Sequence, residues 1–277
     1  MTESLREIWQ DRALIGELVR RDLKLRYKNS VGGIAWSLLN PLMQIFSITI
    51  LLRFIAARPV ENGSAYLFIL FAWNFFSTCL LEFCTSILIN ASLVRKIYFP
   101  RAILLITTLL ANLFHFGIAF LFTICYFFAL RTYPQQLSWS ILLVVPVLFF
   151  LSCLALGIGF IVSYLNVFYE DVRFIVTVVL QLLFYVIPVF YTIEQVQAKG
   201  ADVFHWYLMN PLAALLVTYQ RALLAPPVVY APDGKTLLPS VGIPWEYFGL
   251  ACATSVVVLI VGFALFERNK WDMAERL

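Results

Sequence analysis

Six stretches of about twenty or more mostly apolar residues recur from one end of the chain to the other, each long enough to cross a bilayer. They occupy residues 33–56, 66–90, 102–130, 139–164, 172–192 and 245–266. No other feature limits the fold so tightly. In hydrocarbon the backbone has no water to bond, so such runs close their hydrogen bonds internally as α-helices. Composition agrees: 62% of the 277 residues are hydrophobic and 13% charged, whereas soluble domains carry about 45–50% and about 25%. The N-terminal segment is too long and polar for a signal peptide, which leaves the first span expected to direct insertion.

A seventh stretch, Tyr207 to Ala225, tests the count. It carries Asn210-Pro211 near its start and Arg221 near its end, with Pro226-Pro227 beyond. With six spans and the N-terminus inside, fourteen cations fall on cytoplasmic pieces and six on external ones, the bias the positive-inside rule requires. A seventh span would carry the basic C-terminus outside. Residues 207–225 are therefore expected at, or dipping into, the external face, buried against protein where the Asn-Pro break is tolerated. The expected fold is an all-α membrane protein with six transmembrane helices and both termini in the cytoplasm. Pro41, Pro146 and Pro188 mark expected kinks. Gly157, Gly159 and Ser163 offer a small-residue face for close helix contact.

Residues 3–28 predict a different kind of helix. Leu5, Ile8, Trp9, Ile15, Val19, Leu23 and Tyr27 recur at three- and four-residue steps, with Arg6, Arg20, Arg21, Lys24 and Lys28 to one side. A stripe flanked by cations suits a helix in the inner membrane surface, beside anionic headgroups; packing on another protein is the alternative. This divides the chain into a cytoplasmic amphipathic interface helix, residues 1–30, and a transmembrane domain, residues 31–277.

The inventory excludes several chemistries. His115 and His205 are the two histidines, without metal-ligand spacing. There is no Gly-x-Ser-x-Gly elbow. Asp233-Gly234-Lys235-Thr236 echoes the end of a phosphate-binding loop, but Val229 stands where its first glycine belongs. The chain is expected to bind no metal or cofactor and to hydrolyse no ATP unaided. The five cysteines (Cys79, Cys84, Cys125, Cys153, Cys252) sit in apolar runs and read as small core side chains. Glu82 and His115 are ionisable groups inside spans, where each is costly. Glu82 and Asn112 lie at similar depths, which makes Asn112 the expected hydrogen-bonding partner.

Two loops on the cytoplasmic side carry more content. Asn90 to Arg101 is short, aromatic and basic, and Val94, Ile97, Tyr98 and Phe99 suit a surface helix offered to a protein groove. An ordinary positive-inside loop reads the same way. Asn166 to Arg173 packs Glu170, Asp171 and Arg173 into a tight turn.

Taken with the segment from Arg20 to Lys28 leading into Gly33 to Leu42, and with Asn210-Pro211-Leu212 followed by Arg221, these loops resemble the ABC-2 type transport permeases that export bacterial surface polysaccharides of the O-antigen, teichoic acid and capsule group. The order and spacing of the four pieces cover nearly the whole chain. The resemblance implies a non-catalytic subunit in the bacterial inner membrane, two copies of which pair with two copies of a separate ATPase that holds ATP and magnesium. It implies that Val94, Arg95, Lys96, Ile97, Tyr98, Phe99 and Pro100 form the coupling segment seated on that ATPase. Short re-entrant helices within about 193–240, between spans five and six, would cap the exit. The substrate would be a glycan on a polyprenyl diphosphate or similar lipid; nucleic acid is not an expected partner.

Aromatic residues make up 16% of the chain. Sugar faces pack on such rings, although Trp and Tyr also belt membrane interfaces. The expected channel residues are Trp36, Phe46, Tyr185, Phe190 and Tyr191. Arg26 and Lys28 are placed to meet a carrier diphosphate through charge-assisted bonds, or ordinary lipid headgroups. Three other readings stay open: an ABC-2 exporter of a drug or another lipid, a proton-coupled carrier using Glu82 and His115, and a transferase using Glu170-Asp171.

Overall fold

The computed structural model describes residues 2–27, 63–96, 99–129, 139–189, 191–224 and 237–276, with the isolated positions 39, 43, 46, 47, 50 and 226. Two helices open the chain, α1 (Thr2–Gln10) and α2 (Arg12–Tyr27). The long helices α3 (Gly63–Ile89) and α5 (Ala102–Ala129) flank the six-residue α4 (Ala91–Lys96). A 3₁₀ turn (Trp139–Leu143) leads into α6 (Val144–Phe168), followed by α7 (Val172–Val186). Three short helices come next: α8 (Ile193–Gln197), α9 (Ala201–Leu208) and α10 (Pro211–Leu223). The chain closes with α11 (Trp245–Arg268) and α12 (Lys270–Arg276).

Among the described residues, four helices contain segments long and apolar enough to cross a membrane: Ile69–Ile89, Ala102–Phe122, Ser140–Phe168 and Trp245–Arg268. They match four of the six expected spans. Most of the first, 33–56, lies outside the described residues, as does Pro41. Its described positions Leu39, Met43, Phe46, Ser47 and Ile50 are helical and exposed. The segment expected over 172–192 is shorter: α7 has 15 residues and ends at Val186. Ile187 is extended, with its N–H still on Leu183 O, because the residue before Pro188 is pushed out of the helical region. Pro188 therefore stops this helix rather than kinking it.

The centre of the bundle is α6, packed between α3 and α11. Lipid supplies no hydrophobic drive between helices, so close van der Waals contact has to hold them. Two glycines make that contact. A Cβ on Gly157 would stand 2.6 Å from the α11 backbone at Leu259 N, and one on Gly262 would strike the carbonyl of Gly157. On the other side, a Cβ on Gly159 would enter the ring of Phe83. Ser163 is also buried. Phe160 fills one flank of this contact, its ring against Phe263 at 5.4 Å and Phe266 at 5.1 Å.

The ambiguous seventh stretch becomes α9 and α10. Asn210 caps α10 by accepting from Leu212 N at 3.0 Å, with Pro211 in its first turn, where a missing N–H costs nothing. The expected break is thus a helix start. Every residue from Leu212 to Leu223 is buried, Thr218, Gln220 and Arg221 among them. At 13 residues, or about 20 Å, α10 falls short of a bilayer core.

The N-terminal helix divides at Asp11, yet Asp11 N still reaches Glu7 O and Ile15 N reaches Asp11 O. It packs along α5 through Leu18, with Ile8, Leu14 and Ile15 partly buried. Trp9, a member of the expected stripe, is exposed, and Leu14 and Leu18, outside it, face the bundle. A helix seated on one neighbouring helix buries a narrower row than one lying on a flat surface.

Candidate functional site

One end of the bundle gathers α2, α4, the 166–173 turn and α12. Arg101 at the start of α5 donates to Lys270 O, and Arg276 lies 5.9 Å over the ring of Phe168. Asn166 Oδ1 accepts from Arg173 N at 3.1 Å, holding the tight turn at the start of α7. The C-terminal helix α12 is thereby held against the start of α5 and the end of α6.

The strongest geometry here belongs to α2. Arg21 Nη2 donates to Asn90 Oδ1 at 2.7 Å, at the end of α3. Five residues on, Arg26 donates to Glu82 Oε2 at 2.5 Å and to Asn112 Oδ1 at 3.1 Å. Asn112 in turn donates from Nδ2 to Glu82 Oε2 at 2.7 Å. The expected Glu82–Asn112 pair is present, and a cation closes it into a triangle. Asn90 and Glu82 are eight residues apart, about 12 Å along α3, so the end of α2 is tied two turns deeper into the bundle than Arg21. The Arg26 and Glu82 side chains keep 30% and 32% of their surface; the triangle is open on one side.

The 90–101 segment divides its side chains. Asn90 O accepts from Leu93 and Val94 N and starts α4. Arg95 is exposed and Val94 is half-buried against the core. Phe99, at 8% exposure, packs into this chain's own core, and Pro100 is half-buried. Ile97, Tyr98 and the Lys96 side chain lie outside the described residues. Within the single chain, Ser92 and Arg95 are exposed, and Phe99 anchors the segment from beneath.

At the opposite end, α8, α9 and α10 form a cap. Arg221 on α10 donates to Glu194 Oε1 on α8, and their side chains are 2% and 0% exposed. The same oxygen accepts from Val241 N at 3.3 Å, tying in the approach to α11. Burial lowers the Arg221 pKa from its ordinary value, and Glu194 opposes that shift. Among the described residues, Glu194 Oε2 and Arg221 Nε and Nη1 have no hydrogen-bond partner. Around this pair lies an aromatic group: Tyr191 and Tyr207 hydroxyls bond at 2.9 Å, and His205 Nδ1 bonds the Tyr247 hydroxyl.

Of the five expected channel residues, Trp36 and Phe190 lie outside the described residues, as does Lys28. Phe46 and Tyr185 are exposed, at 59% and 68%. Tyr191 is half-buried in the cap, its hydroxyl on Val186 O as well as Tyr207. Two ion pairs were missed in the sequence. Each had a signal: Glu82 in a span and Arg221 in a buried stretch both demand a counter-ion.

Four described helices long and apolar enough to cross a membrane define a helical, multi-pass membrane protein. Residues 13–224 match the ABC-2 type transporter family, and the chain belongs to that family. It is 27% identical over 270 residues, 95% of both chains, to the O-antigen export system permease protein RfbA of Klebsiella pneumoniae. A protein of the same name from Myxococcus xanthus is 27% identical over 278 residues, covering both chains fully.

Proposed function

We propose that this chain is the membrane-spanning permease subunit of an ABC exporter that moves a lipid-linked polysaccharide of the O-antigen type across the bacterial inner membrane. The observation that carries this reading is similarity along the whole chain to O-antigen export permeases, in a chain whose family is ABC-2. Two copies act with two copies of a separate ATPase, which holds ATP and magnesium.

In this reading the basic end faces the cytoplasm, with both termini, and six helices span the membrane. Arg95, Lys96, Ile97 and Tyr98 meet the ATPase, while Val94, Phe99 and Pro100 hold the segment against the bundle so that a push at Arg95 reaches α3 and α5. The cap helices α8–α10 re-enter from the external face. Trp36, Phe46, Tyr185, Phe190 and Tyr191 line the path of the glycan, stacking on sugar faces without binding them deeply. The exposed face of α7, which includes Phe174, Val178, Leu182 and Tyr185, turns toward the path or a second copy. Arg26 and Lys28 receive the carrier diphosphate.

Co-reconstitution tests the proposal. Proteoliposomes holding this chain and the ATPase encoded beside it should move a polyprenyl-diphosphate-linked glycan only with ATP and only with both proteins. Export without the ATPase, driven by a proton gradient, would overturn it in favour of a carrier.

A further inference from the structure

We infer that Glu82 is a specificity-determining residue: it is an internal counter-ion for Arg26 that keeps singly charged phospholipids off this site and yields it to a diphosphate. The inference rests on the proposed lipid-diphosphate substrate and names the residue that selects it.

A bare arginine at the membrane surface is a poor reader of headgroups. Singly charged phospholipids such as phosphatidylglycerol greatly outnumber any carrier lipid, and a guanidinium accepts any of them. Here Arg26 is not bare. Its Nη2 is on Glu82 Oε2 and its Nη1 on Asn112 Oδ1, while Asn112 Nδ2 holds the same carboxylate oxygen. Asn112 thus presents the carboxylate and orients the guanidinium at once. An incoming monoanion would replace one negative charge with another and leave Glu82 without its cation inside a span, which is unfavourable. A diphosphate brings more charge and several acceptor oxygens, enough to hold the fork bidentately. Specificity arises from the cost imposed on the wrong ligand, as selective sites commonly arrange.

The site is built for exchange. About a third of each charged side chain is exposed, so a headgroup can reach Arg26 without unfolding anything. After the exchange Glu82 keeps its bond from Asn112. Arg26 is the second-last residue of α2, so withdrawing it frees the deep end of this helix while Arg21 stays on Asn90. Diphosphate binding is thereby linked to movement of α2.

Equilibrium binding to the full chain in neutral phosphatidylcholine nanodiscs tests this without any transport. Polyprenyl diphosphate is the probe, with phosphatidylglycerol and inorganic pyrophosphate as competitors. Wild type should bind the diphosphate lipid with little competition from phosphatidylglycerol. Glu82→Gln should bind both lipids more tightly, phosphatidylglycerol by roughly tenfold, the worth of one half-exposed charged pair, and the preference between them should narrow. Arg26→Gln should lose diphosphate binding, and Arg26→Lys should keep the charge but lose the preference. Inorganic pyrophosphate should compete, more weakly than the lipid because it lacks the chain, and failure to compete at any concentration would contradict recognition of the diphosphate. A folded Glu82→Gln protein with an unchanged ratio of the two lipid affinities overturns the inference, as does diphosphate binding that persists in Arg26→Gln. Either result leaves the ATP-driven export assay free to succeed, so the two readings fail separately.

Discussion

Two of the Arg–Glu pairs among the described residues join separate helices, look alike on paper and sit in opposite settings. Arg221–Glu194 in the cap is almost wholly buried, whereas Arg26–Glu82 at the basic end keeps about a third of each side chain exposed. The cap pair joins α8, α10 and the approach to α11, and has atoms with no hydrogen-bond partner among the described residues. It cannot exchange partners without stranding a charge, so it works as a permanent tie. The basic-end pair is bracketed by Asn112, which can keep either member company. Burial, not the identity of the pair, separates a fastener from a reader.

The sharpest way to break this comparison is to remove one partner of the buried pair. Glu194→Ala should cost about 3–5 kcal/mol, because Arg221 is left charged and buried. The loss should appear as a large drop in the melting temperature of the detergent-solubilised protein. A drop matching that of an exposed pair would dissolve the distinction. The second-largest effect is steric: Gly262→Ala drives a methyl into the carbonyl of Gly157 and should cost about 1–3 kcal/mol as α6 and α11 separate. Tolerance of that change would mean that the two helices do not meet there.

At the basic end the expected stability changes shrink. Glu82→Gln keeps the shape and the bond from Asn112, so its cost should be about 1 kcal/mol, read by the same melting assay. If it matched Glu194→Ala, the basic-end pair would be a fastener as well. Smallest of all is Arg20→Ala. Arg20 pairs with Glu17 at 3.0 Å with side chains 80% and 71% exposed, and such a pair contributes about 0–0.5 kcal/mol. High salt should leave Glu194→Ala unrelieved and erase the Arg20 effect.

Much of the bundle was legible in the sequence because lipid imposes one rule: apolar runs must be helices. Counting charges set 207–225 apart from the spans, and the structure buries Leu212–Leu223 within a helix of 13 residues; depth alone paired Glu82 with Asn112. The rest was hidden for physical reasons. Arg26 lies fifty-six positions from Glu82, and a helix read as lying on the membrane surface gives no reason to look for a partner inside. Phe99 was assigned outward since an aromatic on a loop suits a partner's groove, and only packing shows it underneath α4. The end of α7 depended on whether Pro188 kinks or stops a helix, which neighbouring structure decides.

The difference between a fastener and a reader comes down to what moves when substrate is present. Hydrogen exchange should be followed in the ATPase-bound complex with and without polyprenyl-diphosphate-linked glycan. Amides of α2, especially its last turns before Tyr27, should lose protection on adding the substrate while those of α8 and α10 keep theirs. Unchanged protection at α2, or loosening of the cap in its place, would contradict the account.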